Sequence, residues 1–319
     1  MSFFDSILED VKTVCILGHV RPDGDCIGSC LAAYNYLAEQ YPQIDAAVYL
    51  EKPSPKFDYL NNIDVIVSDY SEDREYDLCL CLDSSDTLRF GGAVKYLNAA
   101  KKSLCVDHHI TNQGYAQQNV IEAASSTCEV LFGLLDEEKI SKAVAECIYA
   151  GIIHDTGVFK YDYTTEKTMQ IAGKMMSKGI NFSRIIDDSF YRKTYIQNQI
   201  LGRALLESIT FLDKRCIFSV IHKRDMDFYG VTSADMDGII DQLRITEGVE
   251  CAIFMYETAC REYKVSLRST TDIDVSRIAV YFGGGGHVKA AGCTMAGSVH
   301  DVINNLSAQI EKQLGQEKR

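Results

Sequence analysis

Aspartate and histidine collect at four places in this 319-residue chain. His19, Asp23 and Asp25 follow the apolar run Thr13 to Gly18, and Asp83 ends the run Leu78 to Leu82. Asp107, His108 and His109 end Ser103 to Val106, while His154 and Asp155 close an apolar helical stretch shortly before Gly157. Five of the seven histidines lie in these segments or, for His287, behind a run of four glycines. Carboxylates with one or two imidazoles and no thiolate suit a hard or borderline cation, Mn²⁺ or Mg²⁺, better than a structural zinc. Four aspartates and two histidines are more donors than one ion needs. Two ions about 3.5–4 Å apart, bridged by a shared carboxylate, can hold a hydroxide and stabilise both the attacking and the leaving oxygen of a phosphoryl displacement. The donor set therefore favours hydrolysis of a phosphate ester. A single Asp after a strand is commonly a helix cap or turn residue, but four coincident placements are not explained that way.

A second set lies nearer the C-terminus. Four consecutive glycines, Gly283, Gly284, Gly285 and Gly286, cost backbone entropy, so they imply positive φ angles or close backbone approach, and successive amides can form an anion-binding nest. No Gly-Lys-Ser/Thr follows them, and they come after a helix-like segment instead of a strand, so they are neither a Walker loop nor a dinucleotide fingerprint. Lys264, Ser266 and Arg268 alternate along one strand and share a face. Alone, an exposed sheet face explains them as well as function does; beside the glycines and His287, a face that grips phosphate or base is the better reading. Ser126 is explained as a helix cap, which makes a phosphate role for it or Ser125 unnecessary, and Cys79 and Cys81 read as core. His222 and His300 read as surface residues.

The elements that must position these groups follow from periodicity. Short apolar runs at Thr13 to Gly18, Ala46 to Leu50, Leu78 to Leu82 and Ser103 to Val106 alternate with helical patterns at Ile27 to Glu39, Ser126 to Leu135 and Ser141 to Ile153. That is an α/β, doubly wound, mainly parallel sheet, in which the carboxyl ends of the strands face one crevice. Periodicity weakens around Asn181 to Tyr195. Strands at Ile217 to Ile221, Cys251 to Tyr256 and Tyr263 to Arg268, with helices near Ser233 to Leu243 and Val299 to Leu314, then predict a smaller α+β domain. The expected boundaries are 1–185, a linker region at 186–208, and 209–319, with an active-site cleft between the domains.

Composition sets the outer limits. With 46% hydrophobic and 24% charged residues the chain is an ordinary globular protein. Its net charge of −13 disfavours a surface that tracks long DNA or RNA but not a short nucleotide. The twelve cysteines are dispersed with no CxxC spacing and read as buried thiols in a reducing compartment. The N-terminus lacks the basic and apolar regions of a signal peptide, and no apolar stretch approaches the ~18 residues of a membrane span. A soluble, cytoplasmic protein without membrane partners is expected, with a homodimer left open.

The segments HVRPDGDCIGS at 19–29, DSSD at 83–86, DHH at 107–109 and GIIHDTG at 151–157 resemble the successive motifs of the DHH phosphoesterase family. GGGGHVKAAG at 283–292 resembles the signature of the DHH-associated C-terminal domain. Length and architecture are most similar to the compact RecJ-like members, nano-RNases that also act as phosphatases on 3′-phosphoadenosine 5′-phosphate (pAp). The resemblance implies two divalent cations, Mn²⁺ first and Mg²⁺ second. His19 and Asp23 would bind one, Asp25, His108 and Asp155 the other, and Asp83 would bridge them. It further implies that His109 contacts the scissile phosphate or assists the leaving group with Asp107 orienting it, and that Arg268, His287 and the glycines hold the far end of the nucleotide. The expected partners are short RNA or small nucleotides, not long duplexes. A cyclic or linear di-adenylate phosphodiesterase is the alternative, and a non-catalytic nucleotide sensor a more distant one.

Overall fold

The computed structural model describes residues 3–316; the two residues before and the three after them, which the expected domain limits include, lie outside the described residues. The chain divides into two compact units, Met1–Arg192 and Lys193–Arg319.

The first unit is built on six parallel strands, β1 (Thr13–Leu17), β2 (Asp45–Tyr49), β3 (Ile66–Val67), β4 (Leu78–Leu82), β5 (Lys102–Asp107) and β6 (Gln118–Ile121), in the order β3-β2-β1-β4-β5-β6. Its helices are α1 (Phe3–Ile7), α2 (Gly24–Gln40), α3 (Val94–Ala99), α4 (Thr127–Leu134), α5 (Lys142–Asp155), α6 (Glu166–Ser177) and α7 (Phe182–Ile186). The strands alternate between two cores, as a period of two requires. Val14, Ile16, Leu78, Leu80 and Leu82 face the layer that holds α2, α4 and α5, while Cys15, Leu17, Cys79, Cys81 and Cys105 face Tyr49, Tyr76 and Tyr96. Cys79 and Cys81 are core residues, as their setting in an apolar run requires. The small thiols leave room for a tyrosine layer in which Tyr49 stacks on Tyr96 at 4.0 Å between centroids.

Helices α2 and α5 pack backbone to backbone. A side chain at Gly28 would start 2.6 Å from the Cys147 carbonyl, and one at Gly24 would start 2.2 Å from the His154 ring. The start of α2 thus meets the end of α5, which carries Asp155 toward Asp25. His154 is spent in this contact. Its ring lies against Phe57 and Phe190, and burial lowers its pKa to about 4, so it sits there neutral.

The second unit is a mixed sheet of β7 (Ile209–Phe211), β8 (Cys216–Ile221), β9 (Cys251–Ala259), β10 (Glu262–Ser269), β11 (Gly285–His287) and β12 (Ala290–Ala296), ordered β11-β12-β10-β9-β8-β7. Helices α8 (Tyr195–Leu206), α9 (Lys223–Tyr229) and α10 (Ile239–Arg244) cover one face, and α11 (Val275–Tyr281) and α12 (Val299–Gln316) the other. The segment expected as one helix over Ser233 to Leu243 breaks at Gly238, whose φ of +84° belongs to the left-handed region; a 3₁₀ turn precedes it and α10 follows. The stretch 186–208 is mostly helical. Its apolar periodicity fades because α8 buries only Ile200 and Ala204.

Among the described residues the cysteines are free and all but Cys260 are buried. None of the described helices is long and apolar enough to cross a membrane.

Candidate metal centre

β1 and β4 are neighbours, but the chain leaves β1 toward β2 and leaves β4 toward β5, in opposite directions across the sheet. Their carboxyl ends therefore flank the switch point at which doubly wound sheets bind ligands. Just beyond β1, His19 has its Nδ1 2.9 Å from the Val20 carbonyl. This leaves Nε2 to face Asp23 Oδ2 at 3.6 Å and Asp83 Oδ2 at 3.4 Å. Asp23 is also the cap of α2, its Oδ1 accepting the amides of Asp25 and Cys26 at 3.1 Å. The cap thus uses one oxygen and leaves the other for the ligand role expected of Asp23.

Asp83 ends β4 with φ at +56°, a left-handed conformation that aspartate visits more readily than most residues but that stores on the order of 1–3 kcal/mol of strain. Its Oδ2 faces His19. Its Oδ1 lies 3.7 Å from His108 Nε2 and accepts the Thr127 hydroxyl at 3.0 Å. His108 follows β5, has Nδ1 3.3 Å from the Ala124 carbonyl, and points Nε2 at Asp155 Oδ2 at 3.2 Å. Backbone contacts of this kind orient an imidazole so that its other nitrogen is left for a metal. Asp25, wholly buried in the first turn of α2, accepts the amides of Thr127 at 2.6 Å and Cys128 at 3.0 Å. Donor atoms of Asp25, His108 and Asp155 lie within 4.8 Å of one another, as do those of His19, Cys26 and Asp83 and those of Asp83, His108 and His109.

So much negative charge in a dry place raises pKa values. Burial, then repulsion from Asp25, Asp83, Asp23 and Asp107, pushes the Asp155 carboxyl up to about 10. Burial and the Asp83 charge push Asp25 well above the ordinary carboxylate range. Asp23 goes the other way, to about 2, because burial is outweighed by His19 and the capped amides. Burial would lower His19, but Asp23 and Asp83 carry its pKa far up instead. A cluster that cannot ionise fully without counter-charge, made of oxygen and imidazole donors, fits divalent cations. The thiol of Cys26 is a poor donor by comparison: burial raises its pKa, and its sulfur accepts the His19 amide at 3.2 Å.

Beside this set stands a second pair. His109 Nδ1 lies 2.7 Å from Asp107 Oδ1, and Asp107 also accepts the His108 amide at 2.9 Å and Asn112 Nδ2 at 2.7 Å. Asp107 raises the pKa of His109; its own is lowered, the hydrogen bonds from His109 and Asn112 outweighing burial. The His109 side chain is a third exposed.

In the second unit, Lys264, Ser266 and Arg268 share the more exposed face of β10. Arg268 pairs in register with Ala290, and Ala290 with His287; Ser266 pairs with Gly292, and Gly292 with Gly285. Directly opposed residues of antiparallel strands share a face, so Arg268 and His287 flank a floor of one methyl group and two glycines. The expected glycine loop is in part the strand β11. Gly283 and Gly286 have φ of +77° and +144°, and a side chain at Gly284 would start 2.2 Å from the Gly292 carbonyl. Close strand packing accounts for Gly284 and Gly286; Gly285 has open space where a side chain would stand. Arg268 is held loosely, its Nη1 donating to the Leu267 carbonyl at 3.2 Å and its Nε 3.9 Å from Asp241 Oδ1.

Sequence reasoning passed over Thr127, Asn112 and Cys26. The helix cap at Ser126 is the only sequence signal near Thr127. In the structure Ser126 caps α4 by accepting the Glu129 amide at 3.1 Å, while the Glu129 carboxylate accepts the hydroxyls of Ser125 and Thr168.

Residues 13–152 match the DHH family N-terminal domain, and residues 213–316 match the DHHA1 domain. The chain is 28% identical to a probable bifunctional oligoribonuclease and PAP phosphatase NrnA of Streptococcus mutans, over 92% of this chain and 93% of that protein. It is 26% identical to the bifunctional oligoribonuclease and PAP phosphatase NrnA of Bacillus subtilis, over 89% of each. Among solved structures, an exopolyphosphatase-related protein from Bacteroides fragilis superposes with a TM-score of 0.87 at 24% identity, over 99% of this chain and 96% of that one. RecJ of Thermus thermophilus in complex with Mn²⁺ superposes with a TM-score of 0.53 at 12% identity, over 98% of this chain and 53% of RecJ, a likeness of fold.

Proposed function

The chain belongs to the DHH family, with a DHHA1 domain behind its DHH domain, and on that premise we propose that it hydrolyses short oligoribonucleotides and pAp with two divalent cations, Mn²⁺ first. The observation that carries this reading is Asp83, whose two oxygens face two separate donor groups at the switch point of the sheet. His19 and Asp23 would hold one cation and Asp25, His108 and Asp155 the other, with Asp83 shared. When bound, two such cations lower the pKa of water and offset charge on the phosphoryl oxygens.

The chain's own side chains supply the rest. Asp107 holds the His109 ring through Nδ1 and favours its protonated form, so His109 can give a proton to the leaving oxygen. The Ala124 and Val20 carbonyls keep the rings of His108 and His19 turned inward. In the second unit Arg268 and His287, with Lys264, Ser266 and the backbone at Gly284, Gly285 and Gly286, would form a nucleotide-binding face, the small residues leaving room for a flat base or a phosphate. Buried free thiols suit a reducing cytoplasm.

The test is a turnover panel with Mn²⁺ and with Mg²⁺: pAp, an RNA dimer, a five-nucleotide RNA, cyclic di-AMP, linear di-adenylate and a long single strand. Fastest turnover of pAp or the short RNAs is expected. Preference for a di-adenylate would move the assignment to that substrate class, and binding without turnover of any of them would make the protein a sensor.

A further inference from the structure

We infer that Thr127 is a positioning residue of the metal centre, holding two of its carboxylates in place from a third element, an inference that rests on the two-cation reading above. Thr127 is wholly buried at the start of α4. Its amide donates to Asp25 Oδ2 at 2.6 Å and its hydroxyl to Asp83 Oδ1 at 3.0 Å. Asp25 comes from the first turn of α2 and Asp83 from the end of β4; as ionised metal ligands both are acceptors only, so neither can hold the other. A donor lying between them can hold both. The hydroxyl takes one lone pair of the oxygen that Asp83 turns toward His108, which fixes the rotation of the carboxylate and keeps Oδ2 toward His19. A β-branched side chain restricts the hydroxyl to few rotamers. The start of α4 is itself anchored: Ser126 caps it, and Glu129 accepts the hydroxyls of Ser125 at 2.6 Å and of Thr168, on α6, at 2.7 Å.

Ligand-orienting partners of this kind change metal affinity or activity by about 10–100-fold. The experiment titrates Mn²⁺ into the metal-stripped full-length protein, comparing wild type with Thr127→Ser, which keeps the hydroxyl, and Thr127→Val, which keeps the shape and loses it. Calorimetry reads affinity, and the melting temperature of each metal-free variant reads the fold. Wild-type binding in Thr127→Ser and about 10–100-fold weaker binding in Thr127→Val, with a folded apoprotein, is the expected result. If Thr127→Val does not fold, Thr127→Ala carries the same comparison. Hydroxyl-free protein that binds Mn²⁺ as tightly as wild type overturns the positioning role and leaves the two-cation reading standing. A wild type that binds neither Mn²⁺ nor Mg²⁺ overturns both, and is told apart from the first failure by the wild-type titration alone.

Discussion

Asp83 shares its two oxygens between His19 and His108 from a left-handed backbone position. Asparagine tolerates that backbone as well as aspartate does, yet it removes the negative charge and turns one acceptor into a donor. Asp83→Asn should therefore lower Mn²⁺-dependent turnover at least about a hundredfold, while the metal-free protein stays folded, because relief of repulsion on Asp25 and Asp155 offsets the lost pairing with His19. Full turnover in that variant would take Asp83 out of the centre. A second expectation concerns pH. His109 has a raised pKa, with Asp107 the first cause. A proton donor works while protonated, so the alkaline limb of the rate profile falls as pH rises through the folded-state pKa of His109. Asp107→Asn withdraws the charge that raised it, so the falling limb should move to lower pH; an unmoved limb would show that His109 is not the donor. The same pair adds stability below the unfolded histidine pKa of about 6.5, lost as pH rises through the raised folded value. On the Asp107 side the stability is present above an unfolded pKa of about 3.9 and is lost as pH falls through the lowered folded one.

At the scale of elements, the centre depends on how closely α2 and α5 approach. A methyl group at Gly28 would start 2.6 Å from a backbone carbonyl, which cannot swing aside as a side chain could. Gly28→Ala should cost about 1–3 kcal/mol by overpacking, read as a lowered denaturant midpoint, and should weaken Mn²⁺ binding because Asp155 rides on the displaced helix. Loss of stability with unchanged Mn²⁺ affinity would separate the helix contact from the site. Legibility divides along the same lines. β1, β4 and β5 were readable because they are buried on both faces and run as unbroken apolar segments ending in the candidate ligands. β6 was not, since Gln118 and Asn119 are exposed and the strand lies at the sheet edge. β12 alternates in burial, but its alanines, glycine and cysteine are too small to show the period. The candidate donors stand out at strand ends, whereas the contact of Thr127 with Asp83 spans 44 positions and has no local pattern. Helix-cap chemistry marked the neighbouring Ser126 and gave no reason to look one residue further.

For the whole molecule, the net charge of −13 has two parts. Asp23, Asp25, Asp83 and Asp155 belong to the proposed centre, and two divalent cations would offset all four charges locally. The rest of the acidic excess lies outside that centre, so a long polyanion meets repulsion whose range is the Debye length, about 10 Å at 0.1 M salt. A short nucleotide presents few phosphates to that field and, in the proposed reading, would be held by the cations and a few side chains. This gives a test that depends on sign. Inhibition of pAp hydrolysis by a long single-stranded RNA should be weak and should strengthen or stay level as monovalent salt rises, because screening removes repulsion. A basic track for long strands would do the reverse, losing affinity with a logarithmic slope of about −0.7 for each phosphate neutralised. A steep loss of inhibition with salt would reveal such a track and extend the substrate range from short nucleotides to polymers.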